Sequence, residues 1–224
     1  MSKAGIWQKK SGGTRLETER GKWNNRRAMP RLLIATKNAH KTAEIAAMLG
    51  SEWEVSDLNA YPDMPAPEET GETFAENAAI KARAASRLFA GLVLADDSGL
   101  EVDALGGAPG VRSARYAGLQ ASDADNRAKL LGALAGVRGK ARSARFRCVL
   151  VLAEWGEPRA TFDGTVEGVI VNAERGDGGF GYDALFVPDG FCETFAQLPP
   201  DTKNTLSHRA RAMEKARACF FPVR

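Results

Sequence analysis

The sequence is poor in residues that staple a fold or ligate a metal. Two histidines (His40, His208) and three widely spaced cysteines (Cys148, Cys192, Cys219) occur in 224 residues, and no pair of cysteines forms a CxxC. These counts argue against a disulfide scaffold and a zinc site, and they fit a reducing, cytoplasmic setting. No apolar run approaches the roughly 20 residues of a membrane-spanning helix. The amino terminus lacks the apolar core of a secretory signal. A Walker A loop, GxxxxGK[ST], occurs nowhere. A basic folded surface is also missing. The formal net charge is +3, but eight Lys and Arg against two Glu fall in residues 1–28, leaving 23 basic and 26 acidic residues in the remainder. A body with net charge −3 is not the kind that binds nucleic acid through its phosphates. We expect residues 1–28 to be a disordered basic extension, with Met29-Pro30 as the natural start and 29–224 as the folded domain.

What is present is an ordinary globular composition, 44% hydrophobic and 26% charged, long enough for one large domain or a domain with a lobe. The chain is organised around Leu92-Val93-Leu94-Ala95-Asp96-Asp97-Ser98-Gly99. It reads as a short buried strand that ends in two adjacent carboxylates. The carboxyl end of a strand is where an open α/β sheet binds ligands, and Asp is rarely buried without a partner or a metal. Taken alone, Asp-Ser-Gly reads equally well as a turn.

Upstream, Arg31–Thr36 reads as a buried strand that turns through Lys37-Asn38-Ala39 into a helix from His40 to Leu49. Free N–H groups at that turn, with Lys41 beside them, would make an anion site. An ordinary turn with an exposed Lys fits the same residues. Trp53–Leu58 reads as a second strand. A long helix is expected from about Glu72 to Ala90, with Phe74, Ala78, Ala82, Ala85 and Phe89 as its core stripe. Thr73, Asn77 and Lys81 form a polar row at i, i+4 that could face the Asp96-Asp97 tip.

Downstream, Ser122 reads as the N-cap of a helix, with Asp125 at the capping-box position. Ala144–Trp155 and Ala160–Asn172 read as an antiparallel hairpin. Gly176-Asp177-Gly178-Gly179-Phe180-Gly181 matches GxGxxG in letters. It precedes a strand-like run, Tyr182–Pro188, rather than a helix, so the dinucleotide reading is rejected. Flanking glycines instead suit Phe180 to offer a bare aromatic face. Lys203 and His208 would lie about 140° apart on one helix, so they converge only if that helix is broken.

In this order, Thr36-Lys37-Asn38-Ala39-His40-Lys41, Glu68-Glu69-Thr70-Gly71, Ala95–Leu100, Gly107–Gly110, Phe180-Gly181-Tyr182-Asp183 and Lys203 with Ser207-His208-Arg209 resemble the inosine triphosphatase family. The resemblance runs from about Arg31 to Phe220. It implies an elongated α/β fold, a mixed β-sheet flanked by helices with two lobes around a central cleft, and a homodimer. It also implies Mg²⁺-dependent cleavage of ITP, dITP and XTP, non-standard purine nucleoside triphosphates, to the monophosphate and pyrophosphate. By position, Thr36, Lys37, Asn38, Ala39, His40 and Lys41 match the triphosphate turn, and Asp97 matches the proton acceptor. Glu68 and Asp97 match the metal positions, and Ser98 a substrate contact. Phe180, Gly181, Tyr182, Asp183, Lys203, His208 and Arg209 match base and sugar contacts. Lys37 and His40 depart from the small residues common there.

The chemistry is coherent from below. Glu68, Asp96 and Asp97, if crowded, repel, and a hard cation shared with phosphates relieves that repulsion. Lys41 and Lys81 would stabilise phosphate charge. Arg209, with a protonated or suitably tautomeric His208, would donate to the C6 keto group that distinguishes inosine and xanthine from adenine. A similarly folded pyrophosphatase of pyrimidine or methylated nucleotides stays open as an alternative. So does a non-catalytic nucleotide or RNA-binding module, which the charge balance disfavours.

Overall fold

The computed structural model describes residues 29–64 and 67–221. The extension expected over 1–28 lies outside the described residues. The first strand, β1 (Arg31–Ile34), carries Leu32, Leu33 and Ile34, all fully buried. Apolar residues on both faces belong to a strand covered on both sides, as parallel strands are. It pairs in parallel with β2 (Glu54–Asp57) and with β3 (Leu92–Val102).

Strand β3 differs from the sequence reading. The acids do not cap a strand ending at Ala95; they lie in the middle of an 11-residue strand. The cause is a change of partner. Parallel pairing stops at Ile34↔Leu94, but β4 (Ser143–Glu154) continues antiparallel along β3 from Val93↔Ala153 to Val102↔Ala144. The strand whose carboxyl end faces the acids is therefore β1. The expected hairpin is present as β4 with β5 (Glu157–Ile170), and a short β6 (Phe186–Pro188) completes the sheet, order β2-β1-β3-β4-β5-β6. Tyr182–Leu185, expected in that last strand, is drawn into turns by Asp183 N–H on the Phe180 carbonyl and Leu185 N–H on that of Tyr182.

Helix α1 (Ala39–Leu49) follows β1, and α2 (Phe74–Ser86) starts at a Thr73/Glu76 capping box. α2 stops short of the expected Ala90. Leu88 and Phe89 turn back to bond the Ala85 carbonyl, which keeps Phe89 in the core. Helix α3 (Asp123–Ala133) carries the expected Ser122/Asp125 box. The last helical region is broken, as convergence of Lys203 and His208 requires. α4 (Pro200–Leu206) ends at Ser207, whose extended ψ of 163° starts α5 (His208–Phe220) in a new direction.

Strand alternation sorts the core. Leu32, Ile34, Leu94, Cys148 and Leu150 face α1 and α5. Leu33, Val93, Ala95, Val149 and Val151 face α2. A third cluster, with Leu100, Val102, Leu130, Phe146, Phe186 and Phe195, fills the far lobe under α3. Helix α5 presses its first turn onto β5 at Gly164, where an added Cβ would collide with the His208 carbonyl and the Ala212 nitrogen. Gly164→Ala is expected to cost about 2 kcal/mol or more in urea unfolding, because backbone atoms must move. A loss below about 0.5 kcal/mol would show that α5 does not need this approach.

Candidate active site

Asp96 and Asp97 are sequence neighbours on a strand, so they project to opposite faces. Asp96 enters the α1/α5 layer and is fully buried. Its Oδ1 accepts from Lys41 Nζ at 2.5 Å and from Ser98 Oγ at 2.8 Å. Its Oδ2 accepts from Arg209 Nε at 2.7 Å and from Cys148 Sγ at 3.3 Å. Burial alone would raise its pKa, but Arg209 and Lys41 overcome that and hold the carboxyl well below the usual range. Asp96 is an ionised, saturated anchor.

Asp97 enters the α2 layer. Lys81 Nζ donates to its Oδ1 at 2.6 Å and to Glu69 Oε1 at 3.0 Å, and Arg115 holds the other Glu69 oxygen at 3.1 Å. The remaining oxygen, Asp97 Oδ2, is buried with no partner among the described residues. Burial pushes this carboxyl up despite Lys81. The expected crowd of three acids is therefore corrected. Asp96 is neutralised on the other face. Along residues 67–70 burial alternates, Glu68 being exposed while Glu69 is half-buried and lines the cleft. Of the polar row on α2, only Lys81 reaches an acid. Thr73 caps the helix, and the Asn77 amide grips both the N–H and the carbonyl of Gly71.

A cleft of about 270 Å³ opens beside Asp97, lined by Thr36, Lys37, Asn38, Lys41, Glu69 and Lys81. At the α1 terminus, Asn38 Oδ1 already takes the N–H groups of His40 (3.0 Å) and Lys41 (3.2 Å), so those two are not free for an anion as expected. The positive charge comes from the lysines. Asn38, Lys41 and Ser98 also line a second pocket of about 100 Å³ with Phe180, Tyr182, Asp183, Lys203, His208 and Arg209. The two spaces therefore share a wall.

In this second pocket, Phe180 is not bare. His40 stacks on it, with centroids 5.2 Å apart and planes at 13°, and Lys203 Nζ lies 4.8 Å from its centroid. Tyr182 is interior, its hydroxyl donating to the Ser113 carbonyl at 2.9 Å. Asp183 Oδ2 accepts from Phe180 N–H (2.9 Å) and Lys203 Nζ (2.6 Å); burial, outweighing Lys203, raises its pKa. His208 is buried, stacks on Phe146 at 4.8 Å and leaves Nδ1 without a partner among the described residues. Burial, helped by Arg209 and opposed by Asp96, holds its pKa well below the usual value. That direction favours the neutral imidazole over the protonated alternative. Arg209 bonds Asp96, Glu44 and Ser98 Oγ (3.0 Å), so it is held by the protein rather than free to read a base with its whole fork.

The sequence reading missed Glu44, Glu69, Arg115 and Phe146. Glu44 had a signal, since it lies three residues after Lys41 on one face of α1. It accepts from Lys203 at 2.7 Å and from Arg209. Arg115 and Phe146 had none.

A mixed-sheet α/β protein with a lysine-lined, carboxylate-bearing cleft joined to an aromatic pocket is the class these features define. The chain belongs to the Ham1 family, whose model matches residues 32–219. It is 53% identical over 188 residues to a protein of Geobacillus kaustophilus named dITP/XTP pyrophosphatase, covering 84% of this chain and 92% of that one. A protein of the same name from Geobacter sulfurreducens is 50% identical over 186 residues, with coverage of 83% and 94%. Among solved structures, a HAM1 protein from Coxiella burnetii superposes with a TM-score of 0.77 at 40% identity, covering 87% of this chain and 100% of that one. The Staphylococcus aureus Ham1 protein gives 0.73 at 39%, with coverage of 84% and 97%.

The neutral His208 has a thermodynamic consequence. Its folded pKa lies below the unfolded value of about 6.5, so the unfolded chain binds the extra proton. The stability held by the neutral ring is complete above that pH and is lost as pH falls below it, by up to about 1.4 kcal/mol per pH unit. In urea unfolding between pH 7.5 and 5.5, His208→Gln should therefore unfold with a weaker pH dependence than the parent. Parallel pH profiles would show that His208 is not buried neutral.

Proposed function

We propose that the chain hydrolyses the non-standard purine nucleoside triphosphates ITP, dITP and XTP to the monophosphate and pyrophosphate, with Mg²⁺ as cofactor. The observation that carries the reading is the buried, unpartnered Oδ2 of Asp97 beside two lysines and a cleft. The names of the relatives supply the substrate class.

The residues fit the cofactor. Asp97 Oδ2 and the inward Glu69 are hard oxygen donors, and Mg²⁺ typically uses one or two carboxylates, completing its shell with phosphate and water. No cluster of three or more side chains that could hold a metal ion by themselves occurs among the described residues. Asp97 and a carboxylate of the Glu68-Glu69 pair would hold the ion, Glu69 being the one that faces the cleft. Bound there, Mg²⁺ would neutralise phosphate charge and acidify the attacking water.

Asp97 would accept the proton of the water that displaces pyrophosphate through whichever carboxylate oxygen stays off the metal. Lys41 and Lys81 face the phosphates and stabilise their growing charge. Thr36, Lys37, Asn38, Ala39 and His40 shape the turn around the triphosphate, with Ser98 at the shared wall. The base would stack on Phe180 by displacing the His40 imidazole that now covers the ring, and a neutral His208 offers one ring N–H to a C6 keto oxygen, where adenine presents a competing donor. Asp183, Lys203 and Arg209 hold that pocket in shape. The homodimer, the cytoplasmic location and a catalytic domain spanning 29–224 belong to the same proposal. No helix among the described residues is long and apolar enough to cross a membrane.

A panel of nucleoside triphosphates with pyrophosphate detection, run with and without Mg²⁺, tests the reading. ITP, dITP and XTP should be cleaved only with the metal. Asp97→Asn should lower kcat by about 10² to 10⁴, the usual worth of a general base, with Tm nearly unchanged. Preference for a pyrimidine or methylated nucleotide would replace the substrate class. Absence of pyrophosphate from every nucleotide would contradict enzymatic function altogether.

A further inference from the structure

Helix α3 supplies none of the residues that line the Asp97 cleft and reaches the Phe180 pocket at its rim through Asp123, and two of its side chains hold the peptide next to Phe180. Asp123 Oδ2 accepts the Gly181 N–H at 2.7 Å. Arg127 Nη1 donates to the Gly181 carbonyl at 3.0 Å. The two lie one turn apart on one face of α3, so they grip a single residue at both of its polar ends. Arg127 is itself braced by Glu174 at 3.0 Å.

Gly181 needs such a grip. Its φ is +60° and an added Cβ would meet open space, so no side-chain packing restrains a residue with unusual conformational freedom, and hydrogen bonds must do so. On the other side of Phe180, its N–H bonds Asp183 Oδ2 and its carbonyl takes the Asp183 N–H at 3.2 Å. Every backbone polar group of Phe180 and Gly181 is therefore engaged. The α3 terminus does not depend on Asp123, because Ser122 and Asp125 form its capping box. Asp123 is exposed and Arg127 only half-buried. Their outlay in fixed side chains has its return in the Phe180 turn.

We propose that Asp123 and Arg127 are positioning residues for base recognition. By locking the Gly181 peptide, they hold the Phe180 turn in place while a purine replaces the His40 imidazole stacked on its ring, so part of the ordering cost is met before substrate arrives. The proposal rests on reading Phe180–Asp183 as the base site. Because Lys41, Lys81 and Asp97 are untouched, the pair acts on the base end of the substrate and leaves its phosphate end alone.

The test compares Asp123→Ala/Arg127→Ala with the parent, using dITP as substrate and inorganic triphosphate, which has phosphates but no base, as competitive inhibitor. KM for dITP should rise roughly tenfold while kcat stays within about twofold. The inhibition constant of inorganic triphosphate and Tm should not move. Asp123→Asn, which keeps an acceptor oxygen, should retain the parental KM. An unaltered KM in the double variant overturns the proposal. So does a parallel loss of triphosphate affinity and Tm, which marks a merely structural role. A parent that cleaves no purine triphosphate would instead fell the functional reading on which the proposal rests.

Discussion

The site depends on the period-two alternation of β3. One residue of offset sends Asp96 into the α1/α5 layer and Asp97 into the α2 layer. On the first face, two cations, a hydroxyl and a thiol saturate the carboxylate. On the second face, one lysine satisfies one oxygen and the other is left over. Identical side chains thus acquire different states from their surroundings: one carboxylate is saturated and held well below the usual range, the other has an unpartnered oxygen and is pushed up. A slip of one residue in register would exchange them, and the long antiparallel pairing with β4 prevents it.

From Asp96 a buried chain of alternating charge runs through Arg209, Glu44 and Lys203 to Asp183, with Lys41 at its start. Three acids face three bases. Such a network is a poor source of net stability, since desolvation offsets most of the attraction, but losing one member leaves a buried charge unpaired and costs about 3–5 kcal/mol. For that reason Arg209→Ala disturbs the fold before it reports on base selection. What the network supplies is geometry. It ties α1, the α4–α5 break and the Phe180 turn to the strand that carries Asp97, so the lysine-lined cleft and the aromatic pocket are held by one set of contacts.

Much of this was legible in the sequence. Apolar runs marked β1 and β3, a capping box marked α3, and the short turn between β4 and β5 marked the hairpin. The need for a helix break between Lys203 and His208 followed from helical geometry alone, and Ser207 supplies it. What stayed hidden required knowledge of a partner. Whether β3 ends at Ala95 or runs to Val102 depends on β4, some fifty residues away. Whether Glu68 or Glu69 turns inward depends on where Lys81 and Arg115 stand. A histidine's charge state depends on its burial, and a residue type carries no record of that.

Carboxyl carbon-13 titration of an aspartate-labelled sample tests the division of labour most directly, with Asp97→Asn used for assignment. The account predicts that the Asp97 signal titrates above the ordinary aspartate value of about 3.9, while Asp96 stays ionised until acid unfolds the protein. Both signals moving together through the ordinary range, or the two in reversed order, would contradict it.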